Sequence, residues 1–300
     1  NRLGQASLNI SGSGDWGQID SVTGYVRHNY ASRYDATLSL SQFSQTAVEL
    51  GVYDESTKLR MAVQDLLYTA PARGRLRWML GAFAARSLED GASDLRARAG
   101  GMTRGVYNEQ REDRLNEHAL YGEATYDLGG GWKAAVGGRA FKTMVQTRSH
   151  VLAPPPGQSR DLDRKASFDG FSPKLSLQRD LSGGGLIYLL SSEGYRAGGF
   201  NSGGLLAPGA TRRVFRPDHL RNYEMGLALN PWRGRMNLRA ALFMVDWRNI
   251  QTDQYFGSGL SYTANVGDGR NRGLEIEATW RATPRLVVSG NALFNRPELT

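Results

Sequence analysis

The chain has 300 residues, no cysteine and a net charge of +8 at pH 7, and only five of its 37 basic residues are lysines. The lack of cysteine excludes disulfides and thiolate metal sites, and no stretch approaches the roughly 20 apolar residues that a membrane-spanning helix needs. A nucleic-acid-binding protein is disfavoured, because the arginines are spread over strands and loops instead of forming a dense basic run.

Amphipathic β-hairpins are predicted along the whole chain. The first comprises Ser7–Ile10 and Ile19–Tyr30. In the second, Leu59, Met61 and Val63 alternate with more polar neighbours, which is the period-two pattern of a strand. Short Gly- or Pro-containing turns join the arms of this hairpin and of four later ones, at Pro71–Gly74, Gly129–Gly131, Ser182–Gly185, Asn230–Gly234 and Arg281–Pro284.

The connections between these hairpins are of a different kind. They are predicted to be long polar loops, running from Ser87 to Leu115, Gln146 to Ala166, Arg196 to Phe215 and Asn249 to Gly259. Loops of about 20 residues are unusual inside a compact domain. Short turns at one end and long loops at the other are typical of bacterial outer-membrane barrels, in which the turns are periplasmic and the loops extracellular.

The predicted fold class is therefore all-β. No persistent 3.6-residue periodicity marks a helix, and the negative mean hydropathy of −0.46 is compatible with a barrel strand that shows only every second side chain to lipid. We expect an antiparallel transmembrane meander β-barrel with about 12 strands in this chain. The alternating tryptophans near the turns (Trp78, Trp132, Trp232, Trp247 and Trp280) fit an interfacial aromatic girdle.

Four ordered motifs in the second half of the chain resemble one protein family. They are Gly-Tyr-Arg-Ala-Gly-Gly-Phe-Asn at 194–201, Phe-Arg-Pro-Asp followed by Asn-Tyr-Glu-Met-Gly at 215–226, Asp-Trp-Arg-Asn-Ile-Gln at 246–251, and Asn-Val-Gly followed by Gly-Leu-Glu-Ile-Glu at 265–277. Each is short, but their order over about a hundred residues is similar to that of TonB-dependent outer-membrane receptors.

This resemblance implies a barrel of about 22 strands filled by an N-terminal plug. Residues 1–300 are then part of one barrel domain, and we expect the plug with its energy-coupling box to precede Asn1 and several closing strands to follow Thr300. The implied function is active uptake of a scarce solute across the bacterial outer membrane, with a ferric siderophore as the expected solute. The implied partners are outer-membrane lipid and lipopolysaccharide, the TonB energy-coupling complex and the solute.

Three other interpretations remain open from the sequence. A passive porin or a barrel-embedded hydrolase would share the hairpin pattern, and a soluble β-sandwich adhesin would bury its apolar stripes against a second sheet. No Gly-x-Ser-x-Gly elbow is present, and His28, His118, His150 and His219 lack a zinc-ligand spacing. We therefore predict no enzyme activity, no catalytic residue, no cofactor and no metal site.

Two segments are considered as possible ligand contacts. The glycines of Arg196–Asn201 could present backbone N–H groups to an anion, but we favour a turn where a strand leaves the sheet. The aromatic loop at 253–262 is either a ligand contact on a rigid scaffold or part of the girdle. The candidate contact residues are Arg196, Asn201, Tyr255, Phe256 and Tyr262. Glu275 and Glu277 share one strand face and are expected to be polar lumen positions.

Overall fold

The computed structural model contains a 12-stranded antiparallel sheet, as predicted. It describes residues 1–44, 47–152, 160–202, 214–232, 234–255 and 261–300. The sheet order is β1-β2-β3-β4-β5-β6-β7-β8-β11-β12-β15-β16, so neighbours in the sheet follow one another along the chain. These strands are β1 Arg2–Gly14, β2 Gly17–Asp35, β3 Leu50–Thr69, β4 Leu76–Ala99, β5 Met102–Gly129, β6 Trp132–Leu152, β7 Arg160–Asp180, β8 Gly185–Arg196, β11 Asp218–Leu229, β12 Met236–Arg248, β15 Gly269–Thr283 and β16 Leu286–Leu299.

The five short turns predicted from the sequence are confirmed, and all of them lie at one end of the sheet. In the turn that joins β5 to β6, Gly129, Gly130 and Gly131 have φ angles of 86°, 62° and 83°. Positive φ is strained for residues with a Cβ, so glycine is needed there. The turn between β3 and β4 is closed by a bridge between Arg73 and Leu76.

Two of the four predicted long loops are wrong. Residues Ser87 to Leu115 form the upper halves of β4 and β5, which pair as far as Ala99 and Met102. Most of Gln146 to Ala166 likewise belongs to β6 and β7. Above the apolar part of the wall most residues on both strand faces are polar, apart from buried inner residues such as Leu95 and Tyr107, so the regular apolar alternation stops although the backbone ladder continues. Cross-strand ion pairs such as Arg60 with Asp90, at 3.0 Å, occupy this region.

Three small elements were not predicted. The two-stranded pair β9 (Gly199–Phe200) with β10 (Val214–Phe215) lies within the predicted loop from Arg196 to Phe215. In the second pair, β13 (Gln251–Tyr255) lies within the predicted loop from Asn249 to Gly259, and β14 (Ser261–Asn265) lies just after it. Helix α1 spans Thr37–Ser44, between β2 and β3. Asp35 accepts a hydrogen bond from the Thr37 backbone N–H at 2.9 Å, which caps the helix. No helix among the described residues is long and apolar enough to cross a membrane.

The two faces of the sheet differ in exposure. One face, called the outer face, carries large exposed apolar side chains such as Leu120, Phe171 and Met225, which are 63%, 62% and 54% exposed. The opposite, inner face carries buried residues, including a cluster of Leu95, Tyr107 and Val151 against Leu40 of α1. Glu275 and Glu277 lie on the inner face, as expected, because they stand opposite Ala241 and Arg239 while Leu274 stands opposite Leu242.

The apolar side chains of β3 lie on the outer face near the short turn and on the inner face higher up. Near the short turn its outer face carries Leu66 and Tyr68, which stand opposite Ala82 and Leu80 of β4. Higher up, the alternating residues Leu59, Met61 and Val63 are on the inner face, and the outer positions between them are polar or small. The ladder shows no register shift between these two parts, so the change comes from the residues alone.

Four of the five predicted girdle tryptophans lie beside the short turns. The rings of Trp78 and Tyr68 pack edge-on with centroids 5.4 Å apart, and the ring centroids of Trp232 and Trp280 are 6.2 Å apart. The Arg179 guanidinium lies over the Trp132 ring, 5.3 Å from its centroid. Trp247 does not belong to the girdle. It lies near the opposite end of the wall, on the inner face, where its indole N–H binds a buried carboxylate.

Candidate functional site

The sequence motifs meet at the upper end of β8, β11 and β12. Arg196 ends β8, Asp218 begins β11 directly opposite it, and Trp247 and Gln251 come from the end of β12 and the start of β13. We call these four residues the loop anchor. They stand where the sheet gives way to two long connections, 197–217 and 249–268.

Asp218 is the centre of the loop anchor and is only 3% exposed. Its Oδ2 accepts hydrogen bonds from Arg196 Nη2 at 2.6 Å, Trp247 Nε1 at 3.1 Å and the Gln251 backbone N–H at 3.2 Å. Arg196 Nε also lies 3.3 Å from Oδ1, which makes the ion pair bidentate. A buried carboxylate is tolerated because each of these donors replaces water.

Gln251 extends the anchor to both connections. Its side-chain amide donates to the carbonyls of Ala197 at 3.0 Å and Arg216 at 2.9 Å. Arg196 Nη2 in turn donates to the Gln251 carbonyl at 2.8 Å. The beginning and end of the 197–217 connection are therefore tied to the first residue of the β13–β14 hairpin.

Two asparagines of the motifs complete these ties. Asn201 donates to the Thr263 carbonyl at 2.7 Å and accepts from the Thr263 N–H at 2.9 Å, so it pairs with β14 as a backbone strand would. Asn265 donates to the carbonyls of Arg216 and Asn249 at 3.0 and 2.6 Å. The described parts of the two connections are consequently joined to each other by hydrogen bonds above the wall.

The glycines of the 194–201 motif allow close packing. A Cβ on Gly198 would lie 2.5 Å from the Phe215 carbonyl oxygen, and one on Gly199 would lie 2.6 Å from the Phe215 ring. Neither glycine has a positive φ. Their role in the fold is thus the close approach of two backbone segments rather than a left-handed turn.

The end of β8 and the first residues of the 197–217 connection fold onto the inner face of β5 and β6. Tyr195 stacks on Phe141 with ring centroids 3.5 Å apart and also contacts the Thr143 hydroxyl. The Phe200 side chain is 7% exposed, and its carbonyl accepts a hydrogen bond from Arg111 at 2.9 Å. Because strands β7 and β8 pair only between Asp180 and Lys174, β8 is free to lean inward above that point.

A cavity of about 630 Å³ lies below this inward-folded segment. Its walls carry two cross-strand ion pairs of the inner face, Arg139 with Glu117 at 2.6 Å and Lys174 with Glu123 at 2.7 Å. Tyr195 also lines the cavity. The cavity therefore presents charged groups of both signs beside aromatic rings.

Acidic residues gather on the inner face above the cavity. Glu55 of β3 and Glu109 of β5 stand on either side of the same residue of β4. Burial raises the pKa of Glu55 above its ordinary value, and the Glu109 carboxylate adds to the rise. Burial and Glu109 likewise raise the pKa of Tyr107. No group of three or more His, Asp or Glu side chains among the described residues has the geometry to hold a metal ion.

The candidate contact residues occupy different environments. Arg196 and Asn201 are held by the protein partners given above. Tyr255 is 73% exposed at the end of β13, and Tyr262 lies on β14 opposite Gln254, so both belong to the hairpin and not to the wall. Phe256 lies outside the described residues. Sequence reasoning missed Asp218, Trp247 and Gln251 as partners of Arg196, although all four were within the quoted motifs.

Comparison with known proteins gives one consistent family. The family profile "TonB dependent receptor-like, beta-barrel" matches residues 1–296. The pesticin receptor of Yersinia enterocolitica is 26% identical over 176 residues, which cover 58% of this chain and 24% of that protein.

Solved structures show the same fold. The ferric yersiniabactin uptake receptor FyuA from Yersinia pestis superposes with a TM-score of 0.81 at 18% identity. The closed form of the ferric-catecholate import receptor Fiu from Escherichia coli K12 superposes with a TM-score of 0.68 at 17% identity. Both alignments cover 99% of this chain, which spans 43% and 47% of those two chains.

Proposed function

The chain belongs to the TonB-dependent receptor family, and from this premise we propose that it forms part of the barrel of a receptor that imports a ferric siderophore. Proteins of this family lie in the outer membrane of Gram-negative bacteria, and this chain is an outer-membrane protein. The outer face of the sheet contacts lipid, and the inner face lines the path of the solute.

The observation that carries the proposal is the loop anchor. It ties the described ends of two long connections to each other, and loops placed on such a scaffold suit capture of a bulky solute from outside. The names of two similar proteins, a ferric yersiniabactin uptake receptor and a ferric-catecholate import receptor, support iron chelates as the solute class. The barrel is expected to perform no bond chemistry, and the fold is that of transporters and receptors.

Transport by this mechanism needs parts outside this chain. We propose that a plug fills the barrel, that the solute binds between plug and external connections, and that the TonB complex drives plug rearrangement from the periplasm. Within this chain, we assign the solute contacts to Tyr255 and Tyr262, which lie on the hairpin that the anchor holds, and to Phe256, which follows Tyr255 in the sequence. Arg196 and Asn201 act by placing that hairpin.

Uptake of ⁵⁵Fe-labelled siderophores tests the proposal in cells. Deletion of the gene should abolish uptake of one chelate, and the full-length gene should restore it. In a strain without the TonB complex, the chelate should still bind to the cells but should not enter. Uptake that is unchanged by deletion, or solute entry that is non-saturable and independent of TonB, would contradict the proposal, and the second result would indicate a passive pore.

The contact residues are tested by affinity. Tyr255→Ala in the full-length protein should weaken binding of the chelate, because an exposed aromatic ring provides apolar area and stacking. Tyr25→Ala is the control, since Tyr25 lies on the outer face and is 46% exposed. Equal affinities for the two variants would exclude this hairpin as the contact.

A further inference from the structure

Three tyrosines form a ledge on the inner face, near the upper end of β2 and β3. Tyr34 of β2 stands directly opposite Tyr53 of β3, and their rings stack with centroids 6.3 Å apart and planes 23° apart. The hydroxyls of Tyr30 and Tyr34 are 3.1 Å apart. We call Tyr30, Tyr34 and Tyr53 the tyrosine ledge. Because the short turns close the opposite end of these strands, the ledge lies on the side of the wall from which an external solute arrives.

The tyrosine ledge is held from behind and open in front. Tyr53 packs against the buried cluster that contains Leu40 and Leu95, and its hydroxyl donates to the Ser93 hydroxyl at 3.1 Å. Tyr34 is 49% exposed, so much of its ring stays accessible although it stacks on Tyr53. A surface that is already ordered in this way binds a ligand at a low entropic cost.

A carboxylate without a partner lies beside the tyrosine ledge. Glu55 shares the inner face of β3 with Tyr53 and stands opposite Ser32 of β2. Burial raises the pKa of Tyr53, and the Glu55 carboxylate adds to the rise, because its charge is close to the hydroxyl. Among the described residues, no basic side chain pairs with Glu55, and the pKa of Glu55 is raised by burial and by the Glu109 carboxylate alone. A cation placed here would offset the cost of burying this charge.

The positive charges of β2 and β3 at this height lie on the other side of the wall. Arg27 of β2 stands opposite Arg60 of β3 on the outer face, and Arg33 forms an ion pair with Asp54 there. No arginine or lysine in the described part of the chain lies over a ring of the tyrosine ledge. The guanidinium groups that contact rings lie over Phe83, Tyr121, Trp132 and Trp247.

Aromatic rings beside a single carboxylate favour an organic cation. A ring face attracts a nitrogen cation that lies within about 6 Å of its centroid, and quaternary ammonium groups are recognised in this way. A hard metal ion would need several oxygen ligands instead. An anionic ligand would be repelled by Glu55 and by the neighbouring Glu109.

We propose that the tyrosine ledge and Glu55 bind a positively charged ammonium or alkylammonium group of the imported solute. The cation lies against the Tyr34 ring, and the Glu55 carboxylate balances its charge. This inference rests on the proposed uptake function and narrows the solute to an iron chelate that carries an amine. Anionic chelates without such a group are expected to be poor ligands.

Titration of choline into the full-length protein in maltoside micelles tests the proposal. The reference ligand is neohexyl alcohol, which has the shape of choline with a carbon atom in place of the charged nitrogen. Saturation-transfer NMR of the ligands should show at least about fivefold tighter binding of choline, and only choline binding should weaken as salt is added. Because this test needs neither iron nor the TonB complex, its outcome is independent of the uptake experiment.

Substitutions locate the binding site. Tyr34→Leu and Glu55→Gln should each weaken choline binding by at least about threefold, whereas Tyr34→Phe retains the ring and should stay within about twofold of wild type. Glu275→Gln is the matched control, because Glu275 is an inner-face carboxylate on another strand, β15, and it should have no effect.

Two results would overturn the proposal. One is equal affinity of the wild-type protein for choline and neohexyl alcohol, including no detectable binding of either. The other is equal affinity of Glu55→Gln and Glu275→Gln for choline. Neither comparison uses Tyr34→Leu, so both still decide the question if that variant fails to fold.

Discussion

The loop anchor makes a quantitative prediction for Asp218→Asn. Asp218 is almost fully buried, and its Oδ2 accepts three hydrogen bonds while Arg196 also reaches Oδ1. An amide retains one oxygen but places N–H groups against donors and removes the charge. Hydrogen bonds to charged groups contribute about 1.5–3 kcal/mol each. Because the Arg196 side chain is half exposed, we expect Asp218→Asn to lower the free energy of local opening by about 2 kcal/mol.

Hydrogen–deuterium exchange of the full-length protein measures this loss locally. A change of about 2 kcal/mol in the opening free energy corresponds to about 30-fold faster exchange. Faster exchange is expected in β13 and β14, which the anchor holds through Gln251. Amides of the wall strands should be unaffected, because their ladders do not involve Asp218.

Asp246→Asn is the matched control for this prediction. Asp246 also pairs with an arginine, Arg270, at 2.6 Å, but it lies on the outer face and its side chain is 29% exposed, against 4% for Asp218. Exposed ion pairs contribute about 0–1 kcal/mol, so exchange in the hairpin should not change. If Asp218→Asn exchanged at the wild-type rate, or if both variants behaved alike, the anchor would not hold the connections.

Three further predictions concern the packing, the pH dependence and the lipid face. Gly198→Ala should lower thermal stability, because its Cβ would lie 2.5 Å from the Phe215 carbonyl oxygen, whereas Gly194→Ala has open space and should not. Burial raises the pKa of Glu55. The contribution of Glu55 to stability is therefore full at low pH and is lost as pH rises through that raised pKa. We expect Glu55→Gln to raise the melting temperature at pH 7 but not at pH 4. Leu120→Arg should destabilise the protein by about 2–4 kcal/mol in denaturant unfolding within lipid vesicles, because Leu120 faces lipid, and an unchanged unfolding midpoint would contradict the assignment of the outer face.

Local sequence patterns predicted much of the wall. Glycines in series, as at 129–131, and proline-containing turns, as at 71–74, require particular backbone angles that few other residues adopt. Period-two alternation predicted the strands next to them. Above the lipid the pattern failed, because most residues on both faces of β4 and β5 are polar there, and buried apolar residues such as Leu95 and Tyr107 are too few to mark the alternation.

The loop anchor shows why the candidate site was only partly predictable. Arg196 and Asp218 were both within quoted motifs, yet they are 22 residues apart and meet only because β8 and β11 pair in one register. Trp247 looked like a girdle residue, since it is an aromatic residue on a strand. Its position at the end of β12 on the inner face gives its indole N–H a buried acceptor instead.

The sequence by itself determined the fold class, the strands beside the short turns, the position of those turns and the family, because these depend on neighbouring residues and on short motifs. The sequence also predicted the inner face for Glu275 and Glu277, but only the tertiary structure decided the face where the apolar side of a strand changes, as in β3. Alternation indicates that the two faces of a strand differ, but the register that links all 12 strands decides that Leu59, Met61 and Val63 are inward and that Arg27 and Arg60 are outward. Contacts across that register, such as Asp218 with Arg196 or Arg27 opposite Arg60, arise from pairing over long sequence distances, which no local pattern contains.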